Sequence, residues 1–345
     1  MQQPALLPFA PDSDWFRCTA HFLDQIEART GSTGSRVEYR NVLIAFLSSN
    51  PKPPADYTRE DIENFIFAPC RRNQRRGQPP SAGTVNNRLT ILASWFKYAL
   101  TFAVAGTDGA PAALYCGTPP TTNIRLLNRG RAPYKALTPD ELRQFFAAIP
   151  RNTIRGKRDY ALCLCYLMTA RRRAEIIRLR WRDIEPVMFV EDGVQRPGWQ
   201  YTFIGKGRSR SPDRAELAPC VKLAIDDYLR AAGRLATIGP DDPIFTKCED
   251  RPGRGGYDLS QPLDVHAPGK IIERYARTIG MQHRITTHSF RHTCARERFN
   301  LTHDVREIQR LLRHSSLATT DIYLAQLNSA ADPGVAAFES RFGGL

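Results

Sequence analysis

What most limits the fold of this chain is a break in its composition. Residues from about Gly106 to Arg131 are rich in Gly, Pro, Thr and Asn, whereas apolar residues before and after them recur at helical spacing. Such a stretch separates packed bodies, and 345 residues exceed one ordinary core. The expected organisation is a helical unit over 1–110, a linker over 111–134 and a second unit over 135–345 that ends in a tail. Four helices are expected before the break. Ser13 caps one that carries Trp15, Phe16, Phe22, Leu23 and Ile26. Ser35 and Glu38 read as a capping box for the second, and Thr58 with Asp61 opens a third carrying Ile62, Phe65 and Ile66. The fourth starts near Ser81 or Thr84, and its stripe of Val85, Leu89, Leu92, Trp95 and Phe96 reads as core rather than as a base-stacking platform.

The second unit opens at Thr138, an N-cap followed by proline at the first helical position. A long helix is expected from about Arg158, through a run of three arginines, to Leu179. The pattern then changes. Val187–Val190 and Gln200–Ile204 read as strands, the second with the alternation of a half-buried one, and the chain returns near Glu216. Helices resume at Val221. The expected fold class is mainly α with a small antiparallel β-sheet.

The charge points to a partner. Lys and Arg total 49 against 35 Asp and Glu, a formal charge of +14. With 42% hydrophobic residues the chain packs cores and is no disordered tail. Such an excess of cations suits a polyanion, since each neutralised phosphate releases counterions. The eight cysteines form no C-x-x-C; they read as reduced thiols, and Cys163 and Cys165 point to different helix faces. No signal peptide and no membrane span are expected.

The chemistry lies in the last two thirds. His288 and Arg291 form H-x-x-R, which places both on one helix face. Tyr323 follows His314 by nine residues, and Arg172 and Lys206 lie upstream. A phosphodiester repels nucleophiles and leaves as a poor alkoxide. A metal-free enzyme therefore needs cations on the non-bridging oxygens, an in-line nucleophile and an acid for the leaving oxygen. Arginine suits the first task, and lysine or histidine the last. Tyrosine serves as nucleophile when cations and a base help to deprotonate a phenol of pKa about 10. No carboxylate cluster of the kind used in two-metal hydrolysis is present, so no cofactor is expected.

These residues resemble the tyrosine recombinase, or phage integrase, family. The family pattern T-G-x-R-x-x-E is similar to Thr169–Glu175, its hairpin lysine falls on Lys206, its H-x-x-R on His288 and Arg291, its L-G-H on Leu312–His314 and its nucleophile on Tyr323. The resemblance implies a helical core-binding domain ahead of a mixed α/β catalytic domain. It implies a transesterification through a 3′-phosphotyrosyl link, giving DNA integration, excision or resolution. In that scheme Arg172 and Arg291 clamp the phosphate, Lys206 protonates the departing 5′-oxygen, His288 is acid or base, His314 bonds the phosphate and Tyr323 attacks. Glu175 and His292 support them. Double-stranded DNA and a homo-tetramer on two synapsed sites are the implied partners, with a monomer or weak oligomer off DNA and a cytoplasmic location. Two other functions share this chemistry or fold: a type IB topoisomerase-like nicking and rejoining enzyme, and a DNA-binding regulator without catalysis.

Two positions depart from the pattern. Ala170 replaces a glycine, a small change expected to fit a helix. Arg313 replaces the glycine before His314, where a left-handed helix end is common, and is a candidate phosphate contact. Successive helical residues are about 100° apart, so at most one of Arg171, Arg172 and Arg173 aims at the centre. Further DNA-contact candidates are Arg71, Arg72, Arg75 and Arg76, then Arg208, and Thr84, Asn86, Asn87 and Arg88, which are of types that read base edges. Arg125, Arg129 and Arg131 read equally as a basic strap or a solvated loop. The amphipathic tail with Val335, Phe338 and Phe342 docks on its own domain or on a neighbour.

Overall fold

A computed structural model describes residues 8–69, 78–106, 110–128, 136–191, 193–205, 212–250, 257–281 and 283–313. It divides into two compact units, with the boundary between Arg131 and Ala132.

Among its described residues the first unit is built on four capped helices. α1 spans Asp14–Thr30; Ser13 accepts the Phe16 N–H at its start, and Gly31, at φ 61°, ends it by donating to the Glu27 carbonyl. α2 spans Thr33–Ser49 and starts earlier than the Ser35 capping box suggests, because Ser32 is the cap and accepts the Ser35 N–H. α3 spans Arg59–Phe67 with the expected Thr58–Asp61 box, and α4 spans Ala82–Ala99 behind Ser81. Trp95, Phe96, Phe46, Leu43 and Ile62 form the centre of the core. The buried indole N–H of Trp95 donates to Thr19 Oγ1 at 3.1 Å, so this polar group is satisfied.

The stretch read as a linker from residue 111 belongs in part to this core. β1 (Ala103–Ala105) pairs antiparallel with β2 (Pro111–Ala113), Ala103 opposite Ala113. Tyr115 then packs its ring on Phe96 and Trp15, and Ile124 adds to the same cluster. A few well-placed apolar side chains anchor a segment whose Pro and Gly content suggests a free linker.

The second unit places helices around a small sheet. α5 (Pro139–Ala147) follows the Thr138–Glu141 capping box. α6 spans Ile154–Thr169 and α7 spans Arg173–Ile177. The expected single helix to Leu179 is thus two helices, and Ala170, at φ 52° and ψ 22°, is a left-handed cap between them. β3 (Ile184–Glu191), β4 (Val194–Phe203) and β5 (Asp213–Leu217) form an antiparallel sheet in that order, with Ile184 opposite Tyr201 and Trp199 opposite Leu217. α8 (Pro219–Ala231), α9 (Ala267–Thr278), α10 (Thr287–Thr302) and α11 (Val305–Leu312) complete the unit. Phe145, Tyr166, Tyr201, Tyr228, Phe245 and Phe290 fill its core.

Two charged clusters tie this unit together. Asp159, fully buried on α6, accepts from Arg158, from Arg274 of α9 and from the Tyr275 hydroxyl. Arg158 also donates to the Thr246 carbonyl, so the buried ions are paired and hydrogen-bonded as burial requires. Burial, then the charge of Asp159 and its hydrogen bond, push the Tyr275 phenol up to about 12. Lys222 of α8 bonds Asp226 and lies 4.0 Å from the Trp199 ring centre, which fixes α8 to β4 and explains why this lysine serves packing. Among the described residues no helix is long and apolar enough to cross a membrane, and none of their His, Cys, Asp and Glu form a metal-binding group. The described cysteines are free thiols.

Candidate active site

Arg172 stands where the chain leaves the left-handed turn at Ala170 and enters α7. Its backbone N–H donates to Glu175 Oε2 at 2.8 Å, and its Nη1 lies 3.3 Å from Glu175 Oε1. The carboxylate is buried and the arginine side chain is 33% exposed, so an inward acid orients an outward fork. The neighbouring arginine is different. Arg171 is buried, donates from Nε to the Tyr201 hydroxyl at 2.9 Å and lies 4.3 Å from the centre of the Phe203 ring. The break in the helix therefore separates the arginines more sharply than helical phase would: one turns into the core and the next turns out.

Arg291 is buried on α10, and its guanidinium joins two helix ends. Nη1 donates to the Ala170 carbonyl and Nη2 to the Leu312 carbonyl, each at 2.5 Å. Both acceptors sit at left-handed helix ends, after α6 and before the Arg313 cap of α11, where carbonyls lack intrahelical partners and the helix end is electronegative. Arg291 is thus locked to the backbone two residues from Arg172. Below it on α10, Thr293 Oγ1 accepts the Leu137 N–H at 2.8 Å and donates to the Ser289 carbonyl, which fixes the helix against the start of α5.

His288 lies in the first turn of α10. Although the residue is exposed at the surface, the protein packed around it, then Arg291, Arg172 and Arg173, hold its imidazole below the usual histidine range. Arg172 and Arg291 are the two among them expected to converge on a phosphate, and the three positive charges disfavour the protonated imidazole. The His292 ring stands 6.3 Å from that of His288, centre to centre. Arg172 and Arg291 thus both stand near enough to act on the His288 imidazole, and the Arg172 side chain is the one of the two arginines that is partly exposed.

Arg313 keeps the left-handed backbone, at φ 51° and ψ 50°, that a glycine would take more easily. Its side chain pairs with Asp213 of β5 and stands 5.5 Å from the Phe203 ring centre. The acid in that pair, Asp213, carries no signal in the sequence; it falls in a polar hairpin segment like its neighbours.

In the first unit the base-reading candidates divide. Asn86 is buried, and its amide pairs both ways with the Leu127 backbone at 2.8 Å. Arg88 donates to the carbonyls of Phe65, Ile66 and Ala68, at the end of α3. The Asn86 amide and the Arg88 Nη1 thus have partners within the unit. Asn87 donates to Glu38, and the Thr84 hydroxyl lies 3.0 Å from that of Ser81; both are surface contacts. Lys206, Arg208, His314 and Tyr323, with Arg71, Arg72, Arg75, Arg76, Arg129 and Arg131 and the tail, lie outside the described residues.

The chain matches the model of the phage integrase family over residues 135–329, a span holding Arg172, Lys206, His288, Arg291, His314 and Tyr323. It is 27% identical over 246 residues to a tyrosine recombinase of Synechococcus elongatus, covering 70% of this chain and 66% of that protein. It is 28% identical over 309 residues to tyrosine recombinase XerC of Xanthomonas campestris pv. campestris, covering 86% of this chain and 81% of the relative. Its fold resembles the XerH site-specific recombinase bound to palindromic difH substrate, with a TM-score of 0.63 and 16% identity over 95% of this chain and 97% of that one.

Proposed function

Because this chain belongs to the phage integrase family, its activity is the site-specific cleavage and rejoining of DNA, and we propose that Tyr323 performs it inside a cage formed by Arg172, Lys206, His288, Arg291 and His314. The Tyr323 oxygen attacks a backbone phosphorus, its proton passes to neutral His288, and the bond to the 5′-oxygen breaks as Lys206 supplies that oxygen with a proton. Arg172 and Arg291 neutralise the non-bridging oxygens and His314 bonds one of them. The 3′-phosphotyrosyl link keeps the energy of the broken ester, so attack by the 5′-hydroxyl of another strand restores DNA without a nucleotide or a metal. Exchange between two duplexes breaks four strands, so four protomers, one tyrosine each, assemble on a pair of sites. Its substrate places the protein with the DNA of the cytoplasm, and the positive charge of the chain serves the phosphate contacts.

The observation that carries this reading is the junction at Arg291. One guanidinium bonds the helix end that leads to Arg172 and the helix end that leads to His314, while sharing a face of α10 with His288. The test uses supercoiled plasmids carrying one or two copies of sequence that flanks the gene. Recombinant product from paired sites supports the proposal. Relaxation alone points to a topoisomerase-like enzyme, and binding without cleavage to a regulator.

A further inference from the structure

We propose that Arg313 is a positioning residue that latches the end of α11 to the base of the β4–β5 connection and so sets the geometry for strand cleavage. This inference rests on the reading of Tyr323, Lys206 and His314 given above. Three contacts define the latch. The Arg313 guanidinium pairs with Asp213, the first residue of β5. It lies over Phe203, the last residue of β4, at 5.5 Å from the ring centre. It also covers Gly205, where an added Cβ would stand 1.9 Å from Arg313 Nη1. A side chain at residue 205 would occupy the volume that the guanidinium fills.

The contacts matter because of what the chain does next. Residue 206 follows Gly205 and residue 314 follows Arg313, so consecutive Cα atoms 3.8 Å on, roughly, begin the segments that carry Lys206 and His314. On its other side the same helix end is held by Arg291, which bonds the Leu312 carbonyl. Two arginines thus fix the last turn of α11, one from the helical core and one to the sheet. Backbone geometry gives a second reason. A glycine would adopt φ 51° at residue 313 more easily, and arginine is tolerated there with its head group paired to Asp213. A guanidinium engaged with a carboxylate and an aromatic ring aligns the segments that carry them.

The test measures covalent complex formation on a nicked suicide DNA in a single turnover at saturating protein, beside DNA affinity across a salt series. Arg313→Gly leaves the backbone in a conformation glycine favours, and Asp213→Asn removes only a charge, so both variants keep the fold. Each is expected to slow cleavage tenfold or more with affinity changed less than about twofold, and the double variant is expected to be no slower than either single. Gly205→Ala displaces the guanidinium and gives the same slow phenotype. Exchange of the pair, Arg313→Asp with Asp213→Arg, restores part of the rate. The proposal is overturned if Arg313→Gly cleaves at the normal rate when saturated yet binds DNA more weakly, with a salt slope smaller by about one, since that marks a phosphate contact. It is equally overturned if Asp213→Asn cleaves as fast as the wild type. Absence of any adduct with the wild-type chain would instead remove the reading beneath it.

Discussion

Arg291→Lys separates the structural from the chemical use of one guanidinium. Arg291 holds the Ala170 and Leu312 carbonyls with two nitrogens of one planar group, in a site with 5% of the residue exposed. A lysine keeps the charge but has one compact ammonium and loses the fork, so it reaches one of the two carbonyls. A hydrogen bond from a charged donor contributes about 1.5–3 kcal/mol, and an unpaired buried carbonyl costs a similar amount. The loss of one such bond is therefore worth about 1.5–3 kcal/mol, which lowers the Tm of a unit of this size by about 3–12 °C. Arg172→Lys is the control. Its side chain is 33% exposed and its bond to Glu175 is 3.3 Å long, while the backbone bond to that carboxylate remains. A shift of about 0.5 kcal/mol or less is expected there. Differential scanning calorimetry of the full chain resolves the unfolding of the second unit. Equal Tm values for Arg291→Lys and wild type would refute the claim that this guanidinium holds two helix ends together.

Three further outcomes follow from the same physical reasoning. His288 has a lowered pKa in the folded chain, whereas the unfolded group takes a proton near pH 6.5, roughly, so the unfolded state binds more protons as pH falls through that value. This contribution to stability is intact above about pH 6.5 and is lost below it until the folded group also protonates; denaturant titrations at several pH values should show the acid slope shrink in His288→Gln. Asn86→Ala removes both bonds to Leu127 and should destabilise the first unit by about 1–3 kcal/mol, without altering the salt slope of DNA binding; a reduced slope would restore Asn86 as a DNA contact. Asp159→Ala leaves Arg158 buried without its carboxylate and should cost the second unit about 3–5 kcal/mol in chemical denaturation, and a loss under about 1 kcal/mol would contradict the claim that this carboxylate ties the unit together.

Local signals in the sequence were readable where the physics is local. Ser13, Thr58 and Thr138 each cap the helix that their spacing indicates, because a cap needs only the next three residues. The alternation at Gln200–Ile204 marks a real strand for the same reason, and H-x-x-R falls on a helix. The helix break at Ala170 is hidden because alanine seldom takes a left-handed conformation; only the glycine of the family pattern hints at it. The burial of Arg171 is hidden with it, since a continuous helix gives the wrong directions. Asn86 meets a backbone partner 41 residues away, and Arg313 meets an acid 100 residues upstream on another element. No window of sequence reports such pairings. Nor does composition reveal that Tyr115 and Ile124 tie a Pro-rich stretch into the first core.

The central claim is that one phenol does the cutting. Covalent complexes trapped on suicide DNA can be digested and the modified peptide sequenced by mass spectrometry. The account predicts a nucleotide joined through its 3′-phosphate to Tyr323, a free 5′-hydroxyl on the released strand, and no adduct from Tyr323→Phe despite unchanged DNA affinity. A bond to any other residue, or cleavage that persists in Tyr323→Phe, would contradict it.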